Sequence, residues 1–157
     1  VDLVREGYAN VLVTRTFSKA YALAGLRCGY GLGHPDLMKI LSRYGCGPTS
    51  TNMAGFGAMA ASLADKAHLQ RSRDFTKKTR ALFEKNFRAL DIPYLSGPTL
   101  FIMAEFGDRV AAINTELRKK KIFVRPGGEW AMPEHIRVSY GHEHEVMAFF
   151  AALKNIL

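Results

Sequence analysis

The chain has 157 residues, 48% of them apolar, and a net charge of +8 with histidines neutral. That length suits one ordinary domain or parts of two, and the apolar content excludes a disordered polypeptide. Two cysteines without a CxxC pair exclude a disulfide framework and indicate a reducing compartment. The sequence shows neither an apolar run of membrane-spanning length nor a leader-like start, so we expect a cytoplasmic protein with no membrane partner.

The first part of the chain predicts two short strands flanked by helices. Residues 2–8 are amphipathic and predict a short helix. The β-branched residues of 11–14 predict a buried strand, and residues 28–32 predict a second one. The alanine-rich connection between them, residues 19–26, predicts a loop or a single helical turn. A proline and an aspartate then begin a helix expected over residues 35–44.

Helical periodicity marks the middle of the chain. Residues 45–50 predict a loop, and residues 51–64 predict a helix of small residues. Residues 66–90 predict a long helix with an apolar stripe of Phe75, Thr79, Leu82, Phe83 and Phe87. Eight cations lie largely off that stripe: Lys66, Arg71, Arg73, Lys77, Lys78, Arg80, Lys85 and Arg88. This basic face suits a solvated surface or a nucleic-acid contact, and we expect the first because no aromatic platform is interleaved.

The tail changes character and predicts a small α+β unit. Strands are expected over residues 94–95, 100–106, 122–125 and 136–140, with a turn at residues 126–128. A helix is expected from Val110 to the cationic residues 119–121, which suit a helix C-terminus. A last helix from about Glu143 places five apolar side chains on one face: Val146, Phe149, Phe150, Leu153 and Leu157.

The first strand ends in residues that could bind a phosphorylated cofactor. Lys19 stands where the strand of residues 11–14 should have ended, with the hydroxyls of Thr16 and Ser18 beside it and Arg27 eight positions later. In α/β sheets ligands bind at the carboxyl ends of strands. An amine next to phosphate-binding groups is what a phosphorylated aldehyde cofactor requires, because the amine makes the covalent link and the hydroxyls and the arginine hold the phosphate.

Residues 15–30, Arg-Thr-Phe-Ser-Lys-Ala-Tyr-Ala-Leu-Ala-Gly-Leu-Arg-Cys-Gly-Tyr, closely resemble the cofactor-lysine motif of fold-type I pyridoxal 5'-phosphate (PLP) aminotransferases. They are most similar to the histidinol-phosphate aminotransferase branch. The resemblance implies that Lys19 is catalytic, forms the Schiff base with PLP and moves the proton between the substrate α-carbon and cofactor C4′. It also implies that Thr16, Ser18 and Arg27 hold the cofactor phosphate.

The resemblance extends over essentially the whole chain and implies two substrate-binding arginines. Arg125 is similar to a substrate-facing arginine of the family's small domain, and Arg137 to the arginine that grips the substrate α-carboxylate. Independently of the family, strand alternation puts Arg137 on the face opposite Ile136 and Val138. An arginine that is partly buried needs an anionic partner. For both arginines the alternative to a substrate is an internal salt bridge.

The sequence departs from the family at several positions. Leu100 stands where the branch usually has an asparagine, and Thr49 and Ser50 stand where it often has an aromatic residue and an asparagine. These departures leave the oxo substrate open. The phosphate-loop glycines, the ring-stacking aromatic and the Asn and Asp that contact the pyridine ring belong to the family's first half and have no counterpart here. The chain is therefore expected to be a fragment that is inactive alone.

The predicted fold is α/β. Residues 1–65 are expected to end the large domain of a PLP-dependent transferase (type I) fold, residues 66–90 to form a bridging helix, and residues 91–157 to form a small α+β C-terminal domain. The expected reaction moves an amino group from an amino acid, with glutamate the expected donor, to a 2-oxo acid or a phosphorylated ketone. The full-length protein is expected to be a homodimer that binds these small molecules and no nucleic acid.

Two other classes stay open for the function, and a metal site is not expected. The same scaffold supports PLP-dependent decarboxylases and lyases, and the basic helix leaves a non-enzymatic binding module as a further alternative. Residues 142–145, His-Glu-His-Glu, suggest metal ligands, but side chains two positions apart do not share a helix face. Acidic residues at the start of a helix account for the glutamates.

Overall fold

The computed structural model describes residues 1–45 and 52–157, and these form two compact units, Val1–Arg73 and Asp74–Leu157. The division falls inside one long helix, Lys66–Ala89. The assignment of residues 1–65 to a large domain and 91–157 to a small domain stays a prediction. Within the described ranges, no helix combines the length and the apolar character that a bilayer crossing demands.

The first unit is built from short elements around a two-stranded sheet. In chain order they are α1 (Asp2–Arg5), β1 (Leu12–Thr16), a 3-10 helix (Ala24–Leu26), β2 (Gly29–Gly33), α2 (Pro35–Arg43), α3 (Met53–Ala64) and the start of α4 (Lys66–Ala89). Strands β1 and β2 pair antiparallel, with Thr16 opposite Gly29. Only glycine fits there, because a Cβ on Gly29 would lie 2.6 Å from the Arg15 carbonyl oxygen. The predicted element types are confirmed, while the loop predicted over residues 45–50 lies outside the described residues except for Gly45.

The first strand is less buried than its composition predicted. Leu12 is 43% exposed, and only Val13 among the five residues of β1 is even half-buried. The prediction of a buried strand was therefore wrong for this structure. The physical reason is that β1 pairs with one strand in the described part of the chain, and a two-stranded sheet cannot cover both of its own faces. Phe17, just after β1, and Cys28, just before β2, are the buried apolar side chains of this region.

The second unit combines one four-stranded sheet with α-helices, and this mixture of strands and helices is what the sequence predicted for residues 91–157. After α4 come β3 (Tyr94–Leu95), β4 (Phe101–Glu105), a 3-10 helix (Gly107–Arg109), α5 (Val110–Lys119), β5 (Arg125–Pro126), a 3-10 helix (Gly127–Trp130), β6 (His135–Ser139) and α6 (Glu143–Lys154). The strands form an antiparallel sheet in the order β3-β4-β6-β5. Arg125 lies opposite Arg137 in the β5–β6 pair.

An aromatic cluster between α4 and α6 forms part of the core of the second unit. Phe83 and Phe87 of α4 meet Phe149 and Phe150 of α6, and the Phe87 and Phe150 ring centroids are 4.9 Å apart. All four rings are at most 4% exposed. The predicted apolar faces of α4 and α6 are thus confirmed at these positions. The predicted faces were wrong at one position in each helix: Phe75 of α4 is 40% exposed, and Leu157, past the end of α6, is 48% exposed.

The strand predicted over residues 122–125 is shorter and later than expected. Only Arg125 and Pro126 pair with β6. The chain leaves α5 through a tight turn, in which Lys121 has a φ of +59° and the Ile122 amide donates to the Leu117 carbonyl at 2.9 Å. Residues 122–124 are still crossing from the helix to the sheet edge. The β-branched composition of residues 122–124 therefore predicted strand pairing at positions where the chain has no partner strand in the described structure.

Candidate functional site

Lys19 lies in a closed turn that follows β1. The pairing of the two strands continues one step beyond β1, since the Phe17 amide donates to the Cys28 carbonyl at 3.2 Å. The Leu23 amide then donates to the Phe17 carbonyl at 3.0 Å and closes the turn, while the Ala22 amide donates to the Lys19 carbonyl at 2.9 Å. The Phe17 side chain is 1% exposed and anchors this turn in the interior, whereas Lys19 is exposed. The backbone of the turn is therefore fixed by hydrogen bonds, and Lys19 is exposed to solvent.

The two predicted hydroxyl ligands are in direct contact. The Thr16 hydroxyl donates to Ser18 Oγ at 2.8 Å, and the Ser18 amide donates to Thr16 Oγ1 at 3.1 Å. Arg27 has a φ of +50° and donates from Nη1 to the Ala24 carbonyl at 2.8 Å. Among the described residues, no carboxylate pairs with Lys19 or Arg27. Hydroxyl donors and a guanidinium without a carboxylate are a donor set that fits a phosphate monoester.

The second predicted group of residues lies in the other unit, on β5 and β6. Arg137 is half-buried between Ile136 and Val138, which are 0% and 6% exposed, so the predicted alternation is confirmed. Its guanidinium carbon lies 4.6 Å from the Trp130 ring centroid and 5.3 Å from that of Phe101. The buried Nε of Arg137 makes no hydrogen bond to any described residue. An arginine held this way has donors left for an anion.

The internal salt bridge that was the alternative for both arginines is present for only one of them. Arg125 pairs with Glu129 at 2.5 Å, and both side chains are more than half exposed. In the described part of the chain Arg137 has no carboxylate partner. Arg137 is therefore the better anion site of the pair, and Arg125 would have to exchange Glu129 for any anionic ligand.

Two residues of this cluster were missed from the sequence. Trp130 is the only tryptophan of the chain and stacks on Arg137, and Glu129 is the partner of Arg125. The spacing of Arg125 and Glu129 gave no signal, because Arg125 lies on a strand and Glu129 on the 3-10 helix that follows it, so the helical i,i+4 rule does not apply. Trp130 could not have been placed on Arg137 by spacing, because the contact depends on how the 3-10 helix of residues 127–130 folds back over β6.

Residues 142–145 cap the N-terminus of α6. The His142 amide donates to Glu145 Oε2 at 2.6 Å, and Glu143 accepts from Lys78 at 2.9 Å. The hydrogen bond from Lys78, together with its charge, lowers the pKa of Glu143 and raises that of Lys78, and both side chains are exposed. Across the described ranges, no three His, Cys, Asp or Glu side chains come together as metal ligands would.

The chain is similar to aminotransferases over nearly its whole length. The family model "Aminotransferase class I and II" matches residues 3–152. A histidinol-phosphate aminotransferase from Nitrosococcus oceani is 36% identical over 150 residues, which are 96% of this chain and 40% of that relative. One from Thiobacillus denitrificans is 40% identical and covers 96% of this chain and 38% of its own length. The chain thus spans about two fifths of the curated relatives it matches.

A solved structure supports the same similarity in three dimensions. The crystal structure of histidinol-phosphate aminotransferase from Sinorhizobium meliloti, in complex with pyridoxal-5'-phosphate, matches with a TM-score of 0.82 at 28% identity. The match covers 96% of this chain and 42% of that one. The agreement in fold therefore holds across both compact units of this chain and accompanies the agreement in sequence.

Proposed function

The chain belongs to the aminotransferase class I and II family, and from this premise we propose that the complete protein is a PLP-dependent aminotransferase. Its fold is that of the matching part of a PLP-dependent transferase of fold type I, as the sequence predicted. The observation that carries the proposal is the turn after β1, in which exposed Lys19 directly follows the hydrogen-bonded hydroxyls of Thr16 and Ser18, and in which Arg27 has no carboxylate partner among the described residues.

We assign the covalent attachment of PLP to Lys19 and the phosphate of PLP to the side chains of Thr16, Ser18 and Arg27. Bound PLP supplies an electron sink for the bond that breaks at the substrate α-carbon. Once the substrate amine had replaced it on PLP, Lys19 Nζ would take the proton from that α-carbon and deliver it to C4′ of the cofactor. The closed turn holds the backbone of Lys19 in place, which limits the region that its side-chain amine can reach.

Arg137 binds the α-carboxylate of the amino acid in this proposal. Its guanidinium lies against Trp130 and Phe101, and its buried Nε makes no hydrogen bond to a described residue, which suits a charge-assisted contact with a carboxylate. Arg125 is a second anion contact whose Glu129 must be displaced. Two cationic positions fit an acceptor with two anionic groups, such as a phosphorylated ketone, and also glutamate as the amino donor. The names of the similar enzymes favour the phosphorylated ketone.

Three wider statements belong to the same proposal. We propose that the complete protein is a homodimer, that it acts in the cytoplasm, and that the 157-residue chain alone is inactive because it spans about two fifths of its relatives. Buried Cys28 as a free thiol agrees with a reducing compartment.

The test is spectroscopic and uses the complete protein. PLP bound at Lys19 is expected to absorb in the visible range, to be fixed by borohydride, and to appear as an added mass on the peptide that contains Lys19. Lys19→Ala removes all three signals, whereas Lys39→Ala, an exposed lysine paired with Asp36, keeps them. Formation of a 2-oxo acid from glutamate, without release of carbon dioxide, separates transamination from decarboxylation. A wild-type protein without the visible band contradicts the proposal.

A further inference from the structure

The backbone carbonyl that follows Lys19 is held by two side chains from a distant helix. The Ala20 carbonyl accepts from Ser72 Oγ at 2.8 Å and from His68 Nε2 at 3.0 Å. Both bonds are partly buried and link residues 52 and 48 positions apart. His68 and Ser72 are four residues apart on α4, so they share one helix face. All of these residues lie in the first unit.

The turn needs such support because part of it is unfavourable. Ala22 has a φ of +57°, in the left-handed region that residues with a Cβ seldom adopt. Within residues 17–23 the backbone of the turn is closed by two hydrogen bonds, from the Leu23 amide to the Phe17 carbonyl and from the Ala22 amide to the Lys19 carbonyl. The Tyr21 ring lies 5.0 Å from that of Phe17 and stacks at 6.4 Å on that of His68. The helix therefore restrains the peptide next to Lys19 through the carbonyl and through an aromatic contact.

His68 is itself fixed by the start of its helix. Its backbone amide donates to Asp65 Oδ1 at 2.8 Å, at the residue that precedes α4. Because a carbonyl only accepts, the bond to Ala20 requires the proton of His68 on Nε2. Ser72 Oγ lies 3.4 Å from the same Nε2, so the two donors converge on one oxygen.

We propose that His68 and Ser72 are positioning residues that hold the Ala20 carbonyl and thereby fix the direction in which the Lys19 amine leaves the turn. The inference rests on the proposed function, since it concerns the lysine assigned to PLP. Neither side chain touches cofactor or substrate in this proposal. They act by limiting the conformations of the turn, so that the amine meets the aldehyde carbon in a productive orientation more often.

The experiment follows capture of PLP by the complete protein prepared without cofactor. The rate constant is read from the growth of visible absorbance, and borohydride with peptide mass analysis identifies the lysine that is labelled. Ser72→Ala and His68→Phe are each expected to slow capture about fivefold, the effect of losing one hydrogen bond. His68→Gln recovers most of the rate, because a side-chain amide can donate to the same carbonyl. Ser42→Ala is the matched control, since its hydroxyl donates at 2.9 Å to the Lys39 carbonyl within α2, and it leaves the rate unchanged.

The possible outcomes separate this inference from the proposed function. Wild-type protein that is not labelled on Lys19 overturns the proposed function. Labelling on Lys19 with unchanged capture rates in Ser72→Ala and His68→Phe overturns the positioning role and leaves the function standing. A rate in His68→Gln as low as in His68→Phe also overturns it, because the hydrogen bond then has no part in the effect. Thermal unfolding of each variant is measured alongside, and a lower melting temperature without a slower capture counts against the inference.

Discussion

The stacking of Trp130 on Arg137 leads to a specific prediction for substrate binding. In the complete protein, Trp130→Ala removes the ring whose centroid lies 4.6 Å from the guanidinium carbon, while Arg137 keeps its charge and its strand position. Trp130 is 40% exposed, and the Arg137 Nε is buried, so the solvent exposure of this cation–π pair is intermediate between that of a fully exposed pair and that of a desolvated one. Such a pair contributes about 1–2 kcal/mol.

The loss converts into an expected change in affinity. At about 1.4 kcal/mol for each tenfold change, Trp130→Ala weakens amino-acid binding about 5- to 30-fold. The reason is that the free guanidinium then samples other orientations and must be ordered by the substrate. Trp130→Phe retains a ring and a smaller cation–π contact, so its loss is below that of Trp130→Ala. Arg137→Ala removes the carboxylate contact itself and gives a loss at least as large as Trp130→Ala, without removing the visible band of bound PLP.

Affinity is measured from the spectral change of bound PLP on titration with the amino acid, and from KM in steady-state assays. The matched control is Phe123→Ala, whose ring lies 5.8 Å from the Arg118 guanidinium carbon and is 72% exposed. That contact involves neither Arg125 nor Arg137, and the control is expected to keep the wild-type affinity. The reasoning is refuted if Trp130→Ala binds the amino acid within twofold of wild type. It is also refuted if Phe123→Ala loses as much affinity as Trp130→Ala.

Three further predictions concern the isolated chain, alkaline pH and the aromatic core. The 157-residue chain alone shows no transamination between glutamate and an oxo acid, and measurable turnover would contradict the view that the remaining part is needed. Burial raises the pKa of Tyr140, against opposing effects of Ser96 and Arg80, so the neutral hydroxyl is favoured in the folded state. This stabilisation is fully present below about pH 10 and is lost as pH rises through the folded pKa. Tyr140→Phe should therefore flatten the decline of urea stability at alkaline pH, and an unchanged slope would refute this. Phe87→Ala lowers the free energy of unfolding by about 3–5 kcal/mol because its ring is fully buried, whereas Leu95→Ala, 57% exposed, costs under about 1 kcal/mol by urea unfolding. A loss below about 1 kcal/mol in Phe87→Ala would contradict the core assignment.

Much of the candidate site could be predicted because its signals are local. The lysine, hydroxyls and arginine of residues 15–30 predict a site for a phosphorylated aldehyde cofactor, and the hydroxyls of Thr16 and Ser18 meet because they are two residues apart. Arg137 could be assigned to a face because side chains alternate along a strand whatever the strand packs against. The aromatic stripe of α4 could be found because helical spacing puts Phe83 and Phe87 on one side.

Errors occurred where a pattern depends on a partner that composition does not specify. The β-branched residues of β1 predicted burial, but burial needs a second layer, and in the described residues β1 pairs with a single strand. The segment of residues 122–124 has strand composition, yet it is still approaching the sheet from α5. In both cases the strand propensity is a local property, whereas burial and pairing depend on which strands or helices lie beside the segment in the fold.

The sequence by itself determined most of the element types, the Lys19 motif and the face of Arg137, because periods of 2 and 3.6 residues and a continuous motif require no knowledge of packing. Only the tertiary structure decided that Trp130 stacks on Arg137, that Glu129 occupies Arg125, and that α4 holds the carbonyl of Ala20. The bonds to Ala20 join residues 48 and 52 positions apart. Such contacts arise when packed elements bring distant side chains to one place, and no local pattern encodes which side chains those are.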